Sequence, residues 1–136
     1  MNVWTTLFVA PLVLAAPVGM AGPAAAGPYD GSRPFLCAVT AIMECAASGE
    51  CERHIVTDET APAIIKVDVP GQTISTGTAR RSALKSAGRV DGQLILQGSE
   101  NGRGWSATID EETGRMAVGL VDNDYTFSLF GACSLP

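Results

Sequence analysis

The sequence predicts an all-β domain, a small antiparallel up-and-down meander of about eight strands that closes into a disulfide-stapled barrel, with a β-sandwich as the alternative. Three observations point there. From position 35 onward, short segments of alternating apolar and polar residues recur, the pattern of strands with one buried face. Between them stand Pro70-Gly71, Asp91-Gly92, Asn101-Gly102 and Gly114, residues suited to tight hairpin turns. Four cysteines, Cys37, Cys45, Cys51 and Cys133, all follow an apolar leader, as in small exported domains held by disulfides.

The leader is residues 1–26, "MNVWTTLFVAPLVLAAPVGMAGPAAA", which contain no Asp, Glu, Lys or Arg. A short polar start, an apolar run from Val3 to Ala16 and a tail of small residues outline a secretory signal peptide cleaved near Ala26. Gly19-Met20-Ala21 is a second small-residue site. The absence of Lys or Arg at the start departs from the usual pattern. Pro11, Pro17 and Pro23 interrupt the run, which argues against a stable membrane span in the mature protein. Residues 27–136 then form one domain of about 110 residues, periplasmic or secreted. The chain carries a net charge of −5. That balance excludes nonspecific nucleic-acid binding, which needs a positive face to displace counterions.

Each element can be justified in turn. Residues 27–34, "GPYDGSRP", form a polar arm. "FLCAVTAIM", 35–43, is apolar at nearly every position and predicts a strand buried on both faces, a short helix being the competing assignment. Residues 53–62 are loop-like. In "AIIKVDV", 63–69, Ile65, Val67 and Val69 alternate with Lys66 and Asp68. Pro70-Gly71 turns the chain, with Gly71 free to take a positive φ, and "QTISTGT", 72–78, returns as a Thr-rich strand. "ARRSALKSAGRV", 79–90, is ambiguous: Ala, Leu and Lys permit a short helix, while Gly88 and the strand context favour an irregular edge strand. The last four strands, 93–99, 104–110, 115–121 and 125–133, form a meander. Trp105, Ala107 and Ile109 alternate inward, as do Met116, Val118 and Leu120, and Tyr125, Phe127, Leu129 and Cys133 share one face. An open meander leaves two raw edges, and closure removes them.

Four cysteines allow three pairings. Cys45–Cys51 with Cys37–Cys133 is the favoured set. Cys45 and Cys51 enclose only "AASGE", and Cys37 and Cys133 lie on the first and last strands, which become neighbours if the sheet closes. The alternative for "ECAASGECERH" is a metal site using Cys45, Cys51, Glu52 and His54. C-x5-C is not the usual zinc spacing, and an exporting compartment oxidises the thiols.

Catalytic signatures are weak. Ser82-Ala83-Leu84-Lys85 matches S-x-x-K, but no S-D-N or K-T-G accompanies it, and the motif needs both those partners and a helix. There is no G-x-S-x-G and no H-E-x-x-H, and the single histidine is His54. The acidic turns Asp110-Glu111-Glu112 and Asp122-Asn123-Asp124 read as solvated hairpin charge. Six of the nine basic residues, Arg80, Arg81, Lys85, Arg89, Arg103 and Arg115, fall within one stretch and are the candidates for an anionic ligand or partner.

"LILQGSENGRGWSATIDEETGRMAVGLVDNDYTFSLFGACSLP", with "PFLCAVTAIMECAASGECER" before it, resembles a group of small secreted proteobacterial proteins with no established activity. The resemblance covers nearly the whole mature chain and implies secretion. It transfers no catalytic residue. The expectation is a bacterial exported, non-catalytic binding module without a cofactor, whose partner is a small ligand in the barrel mouth or on the basic stretch, or a protein. The alternatives are an inhibitor of a protease or other enzyme, contacting it through residues 27–34 or the Cys45–Cys51 loop, and a metal-binding protein using the Cys45–His54 segment.

Overall fold

The computed structural model describes residues 25–57, 61–77 and 80–136. The leader lies outside the described residues up to position 24. Nine strands follow in order: β1 (Phe35–Ala46), β2 (Cys51–His54), β3 (Ile64–Asp68), β4 (Thr73–Thr76), β5 (Arg80–Val90), β6 (Gln93–Glu100), β7 (Arg103–Asp110), β8 (Arg115–Val121) and β9 (Tyr125–Ser134). Among the described residues there is no helix, so none that could cross a membrane. Each strand from β3 to β9 pairs antiparallel with the next, β3 pairs with β1, and β9 returns to β1. The result is the expected closed eight-stranded barrel, with β2 as an extra strand.

The long β1 makes closure possible. Along one edge it pairs with β9 from Leu36 to Ala46. Its other edge is shared: Phe35–Ala38 pair with β3, and Ile42–Cys45 pair with β2. Residues 51–54, adjoining and partly within the span expected to be a loop or turn, therefore form a strand that covers the part of β1 that β3 leaves bare.

β1 is not buried on both faces. Phe35, Cys37 and Val39 are buried while Leu36, Ala38 and Thr40 are exposed; the next buried residue is Ile42. The register against β9 shifts between Val39 and Ala41. One extra residue switches which side each later residue faces, so odd positions before the bulge and even positions after it point inward. Summed along the strand, the two phases look like a continuous apolar run. The same device explains β5. Ser82 and Leu84 are buried, and the register against β6 shifts between Leu84 and Ser86. β5 is not an edge strand: residues 80–83 pair with β4 and residues 84–90 with β6.

The hairpins follow the expected turn chemistry with one exchange of roles. Asp91-Gly92 and Asn101-Gly102 have φ of 49°, 77° and 51°, 78°, the left-handed pair of a two-residue hairpin. In the β3–β4 turn it is Gln72, not Gly71, that carries the positive φ, 52°. Gly71 plays a different part. Its amide donates to Asp68 Oδ1 at 2.8 Å, and a Cβ there would sit 2.8 Å from the Asp68 carboxyl carbon.

Both favoured disulfides form, each between residues directly opposite in register. Cys37–Cys133 ties the β1–β9 seam from inside the core, and Cys45–Cys51 closes the β1–β2 hairpin on the outside. Their sequence separations are 96 and 6. In the chain-entropy picture, loss of the first costs about 4–5 kcal/mol and loss of the second about 2 kcal/mol. The pairwise Cys→Ser variants should differ by that margin in denaturant unfolding. Because Cys51 is exposed and Cys37 is fully buried, graded thiol reduction should open Cys45–Cys51 first, read by peptide mass after alkylation.

Candidate functional site

The interior of the barrel is filled unevenly. At the end that carries the Asp91-Gly92 hairpin, Phe35, Cys37 and Leu94 are almost wholly buried. The 25–34 segment folds across this end. The Tyr29 amide donates to the Glu111 carbonyl oxygen at 3.0 Å, and the Tyr29 ring meets Phe35 edge-on at 5.8 Å. Glu111, expected as solvated turn charge, is instead only 4% exposed. Arg89 Nε and Nη2 donate to its two carboxylate oxygens at 2.6 and 2.7 Å. This fork, with a backbone hydrogen bond involving Gly27, holds the Glu111 carboxyl below its ordinary value of 4.5, against the opposing effect of burial.

The other half of the barrel is hollow. A cavity of about 790 Å³ opens there, within the size range of small-molecule sites. Its buried walls include Ile65, Val67, Ile74, Leu96, Ala107, Ile109, Met116 and Leu129, and half-buried Trp105, Val118, Leu120 and Phe127 continue them upward. The exposed lining residues mark the mouth: Ala63, Ile64, Gly77, Arg80, Asn101 and Arg103, with half-buried Glu100 beside them. Trp105 lies opposite Gly98, and a Cβ at Gly98 would fall 2.3 Å from the indole. Glycine there leaves room for the indole beside the β6 backbone.

One atom in this wall is out of balance. Ser82 lines the cavity and is 8% exposed, and its Oγ is buried without a hydrogen-bond partner. Leaving a buried hydroxyl unpaired costs about 1–3 kcal/mol. Plain alternation along the first part of β5 brings this about. Arg80, Ser82 and Leu84 share the inner face ahead of the register shift, and Lys85 is exposed at the irregularity. Ser82 and Lys85 therefore do not form the Ser–Lys pair that S-x-x-K chemistry requires, because that pair needs a helical turn.

The six sequence-selected basic residues part company in the fold. Arg80 and Arg103 reach the cavity mouth. Arg81 and Lys85 are exposed on β5, and Arg115 is exposed where β8 begins. Arg89 is bound to Glu111 at the plugged end. Of the two rim cations, Arg103 donates through Nε to Asp122 Oδ2 at 3.0 Å and lies over the Phe127 ring at 5.3 Å. Among the described residues Arg80 has no ion-pair partner. Asp122 itself is held below its ordinary 3.8, first by the amides of Tyr125 and Asp124 and then by Arg103.

In the Glu44–His54 segment the two sulfurs are bonded to each other. His54 Nε2 lies 3.0 Å from Glu44 Oε2, and among the described residues no three His, Cys, Asp or Glu side chains gather as a metal site. Of the two segments considered for contact with an enzyme, the 27–34 arm is occupied in closing the barrel, while residues 47–50 project as an exposed hairpin loop. Comparison of the chain with protein-family models and with curated proteins yields no match in either.

The sequence placed a small ligand in the barrel mouth, but of the residues that line the cup it marked only Arg80 and Arg103 as binding candidates. Its walls read as core, and Ser82 stood out only for a motif it does not serve. The signal that could have found it is a serine two residues before Leu84, in step with an inward apolar position.

Two outcomes follow from this geometry. Ser82→Ala removes an unpaired buried hydroxyl and should leave the ligand-free protein as stable as before or up to about 1 kcal/mol more stable, whereas a paired serine would lose stability on the same change; thermal unfolding distinguishes them. Glu111 binds its proton less readily in the folded state, so its stabilising contribution is complete above its ordinary 4.5 and is lost as the pH falls through its lowered folded value. Asp110 and Asp122, both below their ordinary 3.8, act in the same direction. Acid unfolding should therefore set in below that range, and Glu111→Gln should be less stable at neutral pH with a shallower acid limb.

Proposed function

We propose that this protein is an exported, non-catalytic binding module that holds a small ligand in the open end of its barrel. The observation that carries this reading is the half-filled interior: an apolar cup of about 790 Å³ whose wall contains a buried, unpartnered hydroxyl. A barrel built only for stability gains by filling such space, since voids forfeit packing contacts. Here the fill stops midway, and a polar group within the wall is left without a partner. The non-catalytic part of the reading is supported by Ser82 having no hydrogen-bonded base to activate it. Export is supported by the charge-free leader and by two disulfides, which fit an oxidising compartment.

Trp105 is the sole tryptophan outside the leader and lines the cup, so its fluorescence reports on the cavity directly. Titration with uncharged apolar probes such as decanol should shift that emission. At about a hundredfold excess over the dissociation constant, a ligand should stabilise the fold by about 2.7 kcal/mol. Native mass spectrometry of the exported, unreduced protein should show a retained small molecule or, after its removal, uptake of the probe. If no probe changes the emission or the melting temperature and no mass is retained, the cup is not a binding site.

A further inference from the structure

We infer that the cup takes a single-chain amphiphile with a monoanionic head, its carboxylate held by Arg80 and Ser82 at the mouth and its apolar tail in the barrel below. This deepens the binding reading and rests on it. The two residues lie two positions apart on the inner face of β5, about 7 Å along the strand, so a head group at Arg80 meets the Ser82 hydroxyl once that buried group turns into the cup. The Ser82 hydroxyl is buried with nothing to bond, and an oxyanion is the acceptor that satisfies it best. Arg80 is exposed at the mouth and, among the described residues, unpaired. The other rim cation is already matched by Asp122. Deeper in the cup the lining is Ile74, Leu96, Ile109 and Met116, with no charge to meet a second polar end. Glu100 shares the rim; it opposes excess negative charge and so favours a carboxylate over a dianionic phosphate ester.

Isothermal titration of the exported protein with decanoate, decanol and decyltrimethylammonium, at a pH where the acid is ionised, tests the head group at constant tail length. Decanoate should bind about tenfold more tightly than decanol, the worth of one charged hydrogen-bonded contact, and the cation more weakly than either. Arg80→Met should abolish the preference for decanoate, Ser82→Ala should reduce it, and Glu100→Gln should widen it. Arg80 is exposed on the rim, so its loss leaves the folded barrel intact for the comparison. If decanol binds as tightly as decanoate, or if Arg80→Met leaves their ratio unchanged, the anionic head is overturned while the binding cup stands. If neither binds, both readings fail together. Co-sedimentation with phosphatidylglycerol vesicles, with no uptake of free decanoate, overturns the single-chain ligand in favour of a membrane lipid.

Discussion

The β1–β9 seam is the constraint on which the remaining structure depends. Every strand in a meander has a partner on both sides except the first and the last, whose free amides and carbonyls invite pairing with other chains. Here β9 returns along nearly the whole of β1, and a buried disulfide fixes the two at Cys37 and Cys133. The fixed seam sets the strand count, and the strand count sets the bore. An eight-stranded barrel is just wide enough to be filled by side chains or to hold one small ligand. This protein does both, one in each half.

The division between the halves has identifiable causes. At the plugged end the arm before β1 supplies Tyr29, and the Arg89–Glu111 fork ties the start of the β7–β8 turn to β5. A buried carboxylate is costly unless it is paired and hydrogen-bonded, and Glu111 has a cation across from it and the arm folded beside it. At the open end Ala61, Pro62 and Ala63, just before β3, join the lining of the cup. Side chains there line the wall instead of meeting at the axis, and Trp105 lies back against Gly98.

The two bulges connect fold to site. Each inserts one residue, and each exchanges the faces of everything beyond it. In β1 the exchange keeps Ile42 inside after Val39 and places Glu44 on the same face, across from Phe127 of β9. In β5 it lets Arg80 and Ser82 face the mouth at one end of the strand, while Arg89 reaches Glu111 at the other. A β5 without the bulge could not serve both ends, because a period of two would send Arg80 and Arg89 to opposite faces.

Much of this barrel was legible in the linear sequence because it rests on local chemistry. Alternation at Trp105, Ala107 and Ile109 or at Met116, Val118 and Leu120, the Asp-Gly and Asn-Gly turns, and an even number of cysteines after an apolar leader determine strands, hairpins and pairing wherever the repeat of two is unbroken. Only the tertiary structure decided the rest. The phase of β1 and β5 depends on bulges set by their neighbours' register. Gln72 carries the positive φ of the β3–β4 turn, while Gly71 lies against the Asp68 carboxylate. Glu111 is buried because an arm more than 75 residues earlier folds over it. The cup exists because closure brings residues from all around the chain to face one space that their side chains do not fill. Local sequence carries dihedral preference and periodicity; which polar group ends up without a partner is settled only when distant strands close on one another.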